Sequence, residues 1–272
     1  MTKLFSALRV GQLELSHRLV TTVHSTSRLT AADYRRRATA GGLIVADGCP
    51  AHDFDMDGWT RVTNGIHEVG GLVVALLGLG TQHERAESVE VDALMEHVQR
   101  TARLASAAGF DGVELDAAAG SLPERFLQPQ TNSRDDDYGG DDARRMRFLI
   151  EAAHVAAQEC SIERIGVRLS PRTRPGQTDL FAGVMRALSE HELAYVHFAH
   201  AGAQPPSPPG CIAAGTQRQA FRTDLSCVLI ASDDCDVDAA ASAVESRWAD
   251  AVGFLQTNGD PDFIVRLLQH EQ

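Results

Sequence analysis

The sequence predicts a single (β/α)8 barrel, and three observations carry that expectation. The chain has 272 residues, close to the roughly 250 typical of one such barrel. Eight short apolar runs follow one another along it, continuous rather than alternating, as suits strands buried on both faces of a parallel sheet. Segments with helical periodicity lie between them, and strand–helix alternation of this kind is the signature of a parallel barrel.

Taken in order, the first strand is expected over Arg18–Val23 and a helix over Ala31–Ala40. The second strand is expected at Gly42–Asp47 and the third at Leu72–Gly78. A helix over Val91–Ala108 follows, in which Leu94, Val98, Ala102 and Leu104 recur at spacings near three or four. The fourth strand is Gly112–Ala117, followed by a helix over Ala143–Cys160. Strands at Ile165–Ser170, Tyr195–His200 and Cys227–Ser232 come next, then a helix over Asp236–Ser246. The eighth strand, Ala251–Gln256, and a helix over Pro261–His270 complete the pattern. No Pro/Ser-rich linker divides it, so residues 1–272 read as one barrel domain. The Pro-rich stretch Gln204–Pro209 follows the sixth strand and so falls on the C-terminal face, where barrel active sites lie.

Composition narrows the function. Lys+Arg number 25 against 37 Asp+Glu, a formal net charge of −12. That balance argues against a nucleic-acid or anionic-membrane partner, both of which require clustered cations. The longest apolar run, Gly70–Gly80, is far short of the ~20 residues that span a bilayer. The N-terminal residues lack the continuous apolar stretch of a secretory signal. Cys49, Cys160, Cys211, Cys227 and Cys235 form no CxxC pair, so they read as reduced thiols of a cytoplasmic protein. No pair of histidines or acids has metal-ligand spacing on one element, so no metal is expected. Asp135-Asp136-Asp137 lacks the alternating oxygen ligands of a calcium loop and reads as a solvated turn.

One set of motifs is specific. Gly109-Phe-Asp-Gly-Val-Glu-Leu-Asp116 leads to Phe126-Leu-Gln-Pro-Gln-Thr-Asn-Ser-Arg134, Tyr138-Gly-Gly140, Arg147-Phe-Leu149 and Gly166-Val-Arg-Leu-Ser-Pro171. With Leu4-Phe-Ser, Leu13-Glu-Leu and Arg18-Leu-Val near the start, this pattern resembles the old yellow enzyme family of flavin-dependent ene-reductases. The resemblance runs from Leu4 to about Asp262. It implies a (β/α)8 barrel with FMN at the C-terminal ends of its strands, a nicotinamide that reduces the flavin, and hydride delivery to an activated alkene while a tyrosine protonates the other carbon.

Several positions depart from the family's pattern. The family's histidine pair, which holds the substrate oxygen, and its tyrosine fall on Asp116, Ala119 and Ser121. The glutamine that contacts the flavin ring falls on Leu76, and a following Trp-His on Gly78-Leu79. A Gly-Gly pair at the flavin phosphate falls on Asp233-Asp234, and a Gly-Arg pair on Leu255-Gln256. Two like charges about 5 Å apart cost roughly 3 kcal/mol at an effective dielectric of 20, while micromolar binding is worth only about 8 kcal/mol. Two aspartates facing a phosphate would therefore abolish ordinary FMN binding. What persists is Ser25 in place of a threonine near the flavin, and Arg168 at the position of the arginine that contacts the flavin's pyrimidine edge. The short connection Leu79–Glu90 and the end of the chain soon after the eighth helix suggest a reduced lid and no C-terminal extension.

Glu114 and Asp116 share one face of the fourth strand, and Arg168 on the fifth is their natural partner. Such a pair could fill the space of a lost flavin, or one carboxylate could work as an acid–base group. The resulting expectation is a barrel without a cofactor that performs redox-neutral chemistry, of cyclase, isomerase or lyase type, on an organic small molecule, as natural-product pathways require. Its catalytic candidates are Asp116, Arg168 and His24; its substrate-binding candidates are Ser25, Asp47, Leu76, Glu114, Ser121 and His197. The alternatives are an FMN-dependent ene-reductase with atypical ligands and a non-catalytic protein that binds a partner. The resemblance also leaves a homo-oligomer open.

Overall fold

The computed structural model describes residues 2–23, 29–47, 54–79, 84–170, 177–199, 222–223, 225–232, 236–255 and 260–270. The chain opens with a two-stranded antiparallel hairpin, β1 (Leu8–Val10) and β2 (Leu13–Leu15). Then follow β3 (Leu19–Val23), α1 (Ala31–Arg37), β4 (Leu43–Ala46), α2 (Met56–His67), β5 (Leu72–Leu77) and α3 (Val91–Ala107). The second half runs β6 (Gly112–Ala117), α4 (Leu122–Leu127), α5 (Asp142–Cys160), β7 (Ile165–Leu169), α6 (Gln177–Ser189) and β8 (Tyr195–Ala199). It closes with β9 (Val228–Ser232), α7 (Val237–Glu245), β10 (Ala251–Leu255) and α8 (Phe263–His270).

Strands β3 to β10 form a closed parallel barrel in chain order, with β10 returning to β3 through the pairs Val252↔Leu19 to Leu255↔Thr22. The expected (β/α)8 barrel is therefore the fold, and all eight expected strands form it. Alternation along each strand divides the apolar residues into two layers. Leu19, Ile44, Val73, Leu115, Val167, Val196 and Leu229 face outward into the layer shared with the helices. Val20, Leu43, Val45, Val74, Leu76, Tyr195, Ile230 and Ala251 face the lumen.

Val10, Leu13 and Leu15 of the hairpin pack into that lumen cluster, so the hairpin closes the N-terminal end of the barrel. Its turn needs Gly11: φ is +57°, and a Cβ there would sit 2.0 Å from the Glu163 carbonyl oxygen. With that end closed, the lumen is open among the described residues at its C-terminal end.

Helix α2 follows a sequence that signals helix poorly, with Gly58, Gly65 and several β-branched residues. Tertiary packing compensates: Val62, Thr63 and Ile66 are buried, and the Asp55 side chain caps the helix by accepting from the Gly58 amide at 2.9 Å. Among the described residues no helix is long and apolar enough to cross a membrane.

Candidate functional site at the open end of the barrel

The inward positions of β6, β8 and β9 bring together four polar side chains in the lumen. Glu114 and Tyr195 are fully buried and His197 nearly so. Tyr195 Oη donates to Glu114 Oε2 at 2.8 Å, and His197 Nδ1 lies 3.0 Å from both carboxylate oxygens. On its other side, His197 Nε2 is 2.6 Å from Ser232 Oγ, at the C-terminal end of β9. Gly166 makes room for this arrangement, because a Cβ there would meet the Tyr195 ring at 2.2 Å.

Burial is the largest influence on the Glu114 carboxyl and pushes its pKa up. His197, Arg168 and the Tyr195 hydroxyl together outweigh it, so the carboxyl lies below the ordinary glutamate value. An ionised carboxylate only accepts hydrogen bonds. His197 Nδ1 therefore donates to the Glu114 carboxylate. Burial, together with the neighbouring anion, raises the Tyr195 phenol well above its usual pKa, so it stays a donor.

One layer nearer the mouth, Asp116, Arg168 and His197 are aligned across β6, β7 and β8. Asp116 and Arg168 are half-buried. Burial raises the Asp116 pKa, chiefly against the pull of Arg168 and the Ala118 amide, which donates to Oδ1 at 3.1 Å; Glu114 and Asp47 push it further up. Beside them the mouth has room, since a Cβ on Gly78 would have nothing within 4 Å.

The structure places the sequence candidates unevenly. Asp47, Glu114, Asp116, Arg168 and His197 line the lumen or its rim, whereas Leu76 is part of the buried lumen cluster. Ser121 caps α4, its hydroxyl accepting from the Glu124 amide at 3.2 Å. His24, Ser25, Asp233, Asp234 and Gln256 lie outside the described residues. The hydrogen-bonding partners of Glu114 are His197 and Tyr195, while Arg168 acts on both Glu114 and Asp116 through its charge. Sequence reading missed Tyr195 and Ser232. Their signal was parity: Tyr195 lies two residues before His197 and opposite a glycine, and Ser232 shares the inward face of Ile230. Among the described residues no group of three or more potential ligands is placed to hold a metal.

Fold and site together define a (β/α)8 barrel with ionisable groups converging at the C-terminal ends of its strands, the end where such barrels do chemistry. Residues 80–271 match the NADH:flavin oxidoreductase / NADH oxidase family, and the chain belongs to that family. Morphinone reductase superposes with a TM-score of 0.82 at 25% identity, covering 99% of this chain and 91% of that one. A probable flavin mononucleotide-dependent alkene reductase from Leishmania infantum is 29% identical over 259 residues, 78% of this chain and 69% of the relative. A putative 12-oxophytodienoate reductase from Oryza sativa subsp. japonica is 27% identical over 222 residues, 62% of this chain; the chain spans only 58% of that relative's length.

These matches correct the expectation that the barrel takes no cofactor: family and structural neighbours point to FMN. That expectation rested on Asp233 and Asp234 repelling a phosphate, a cost that depends on where two side chains outside the described residues point. The described rim, by contrast, suits a flavin ring at one edge. Arg168 presents guanidinium donors on the inward face of β7, and the space over Gly78 is open.

Proposed function

We propose that the chain is an FMN-dependent, NAD(P)H-linked reductase of activated alkenes that acts on a small organic molecule, with a substrate pocket built from other residues than the family's usual ones. The family match over residues 80–271 carries this reading. The named relatives, reductases and a probable alkene reductase, support it. They offer nothing for a flavin-independent cyclase or isomerase.

When bound, FMN supplies a hydride relay between the nicotinamide and the alkene. Arg168 would hold the acceptor-rich edge of the flavin ring by charge-assisted hydrogen bonds. Asp116 takes the place where the family holds a substrate oxygen. As an anion it would repel a developing enolate oxygen, but its raised pKa keeps a larger share of it protonated, and a neutral carboxyl donates. The Ala118 amide donates to Oδ1. Ser121, tied into the cap of α4, is not the proton source the family's tyrosine would be.

The test is flavin uptake, followed by quenching of FMN fluorescence and by visible absorbance of the gel-filtered protein. The wild-type chain should retain flavin that NADPH bleaches. Arg168→Met should weaken uptake by about ten- to a hundredfold, the worth of a hydrogen bond to a charged group. A chain that takes up no flavin at millimolar FMN would sink the proposal.

A further inference from the structure

Away from the lumen, two histidines meet on the helical outer surface of the barrel. We propose that His154 and His191 form a two-ligand site for a divalent transition-metal ion of the copper, nickel or zinc type. His154 lies in the middle of α5 and His191 just past the end of α6, 37 positions apart in the chain. His154 Nε2 stands 2.9 Å from His191 Nδ1, with the ring centroids 4.7 Å apart and the planes at 83°. His154 is exposed and His191 half-exposed, so dissolved ions reach both rings. Because the two residues sit on different elements, no spacing along the sequence marks them as ligands.

The separation is the one a metal ion needs. Two imidazole nitrogens bound at about 2.05 Å lie about 2.9 Å apart at a right angle and about 3.3 Å apart at the tetrahedral angle. The observed 2.9 Å falls at the near end of that range, so rotation of the rings suffices to aim both nitrogens at one point. Without metal, the N–H of one ring points at the lone pair of the other. To accept an ion, the donor ring passes its proton through solvent to its other nitrogen, and both facing nitrogens then hold lone pairs. That tautomer shift balances the exchange, with no proton lost from the pair.

The surroundings favour a cation. His191 follows the C-terminal end of α6, where the last carbonyls of the helix place partial negative charge. Glu190 and Glu192, both exposed, flank it, against Arg186 in the last turn of the same helix. Glu151, one turn before His154 on α5, is engaged by the Tyr138 hydroxyl. Among the described residues no third histidine, cysteine or acid completes the set, so water takes the remaining positions on the ion. Imidazole ligands suit copper, nickel and zinc, whereas magnesium and calcium take oxygen. Helix α5 packs against β7 and α6, so an ion held here ties together the helices outside the strands that carry Arg168 and His197.

The experiment strips the full chain of metal with EDTA and titrates it with Cu2+ at about pH 8, where protons compete little for the nitrogens. In electron paramagnetic resonance, the first equivalent of copper should be coupled to two imidazole nitrogens. His154→Ala and His191→Ala, at exposed and half-exposed positions, should each fold, weaken that site by about tenfold or more and leave coupling to one nitrogen at most. Zn2+ should raise the melting temperature of the parent chain and leave that of each variant unchanged. A two-nitrogen copper site of equal affinity in either variant would belong to other histidines and would overturn the proposal. So would a parent chain that binds no copper, or one that zinc does not stabilise. The rings lie outside the lumen, so none of these outcomes depends on the flavin or on the reductase reading.

Discussion

Asp116 and Glu114 sit two residues apart on one strand face, yet the barrel shifts them in opposite directions. Glu114 is held below its ordinary value, so its contribution to stability is present above pH 4.5 and is lost as pH falls through its folded-state pKa. Asp116 is held above 3.8, so it costs nothing while protonated in both folded and unfolded states. As pH rises through its raised pKa, the folded state must carry a half-buried anion and stability is lost. Asp116→Asn removes that loss. Thermal melts should show the variant and the parent equal well below pH 3.8, with the variant melting higher at neutral pH. A variant that melts lower at neutral pH would mean that Arg168 already compensates the charge in full.

At the scale of elements, acidic residues serve as joints. Asp111 and Asp250 stand just before β6 and β10 and do the same thing twice. Each donates its amide to a carbonyl one strand over, Val73 or Leu229, at 2.8 Å, and accepts that residue's amide on its carboxylate at 2.7 and 3.0 Å. These double clamps fix the register at the closed end of the barrel. Asp55, Asp141 and Asp236 cap α2, α5 and α7 by accepting a backbone amide of the first turn. All eight barrel strands were legible because strands buried on both faces read as continuous apolar runs. The hairpin was not, because Leu8–Val10 and Leu13–Leu15 are too short to signal strands, and their burial depends on a lumen assembled from distant strands. Helix α2 was obscured by its glycines. At the site, Asp116 and Arg168 were legible from motif and parity, but Tyr195 and Ser232 matter only through partners on other strands. The packing of Tyr195 against β7 yields a prediction for those two strands. A methyl group at Gly166 would meet the phenol ring at 2.2 Å, in a wall where neither strand can retreat. Gly166→Ala should therefore destabilise the fold by about 1–3 kcal/mol or more, the usual cost of overpacking, measurable by urea unfolding. The double variant Gly166→Ala/Tyr195→Leu should recover part of the loss.

For the whole molecule, the net charge of −12 bears on how a dianionic ligand arrives. A chain of this length has a radius of gyration of roughly 18 Å. At about 0.01 M ionic strength the Debye length is about 30 Å, so an approaching FMN feels the summed negative charge of the molecule. At about 0.15 M the length falls to about 8 Å, and only groups near the mouth act. The described groups there are mixed, Asp47 and Asp116 against Arg168, so screening removes far more repulsion than attraction. The association rate of FMN, followed by stopped-flow quenching, should therefore rise as salt is added over this range. Dissociation, governed by contacts inside the lumen, should change less. A positively steered cleft would behave the opposite way, with association slowing steadily as salt increases. Observing that fall would mean that cations outside the described residues dominate the mouth, and that the excess acid, which at the described sites clamps strands and caps helices, is kept away from the path of the cofactor.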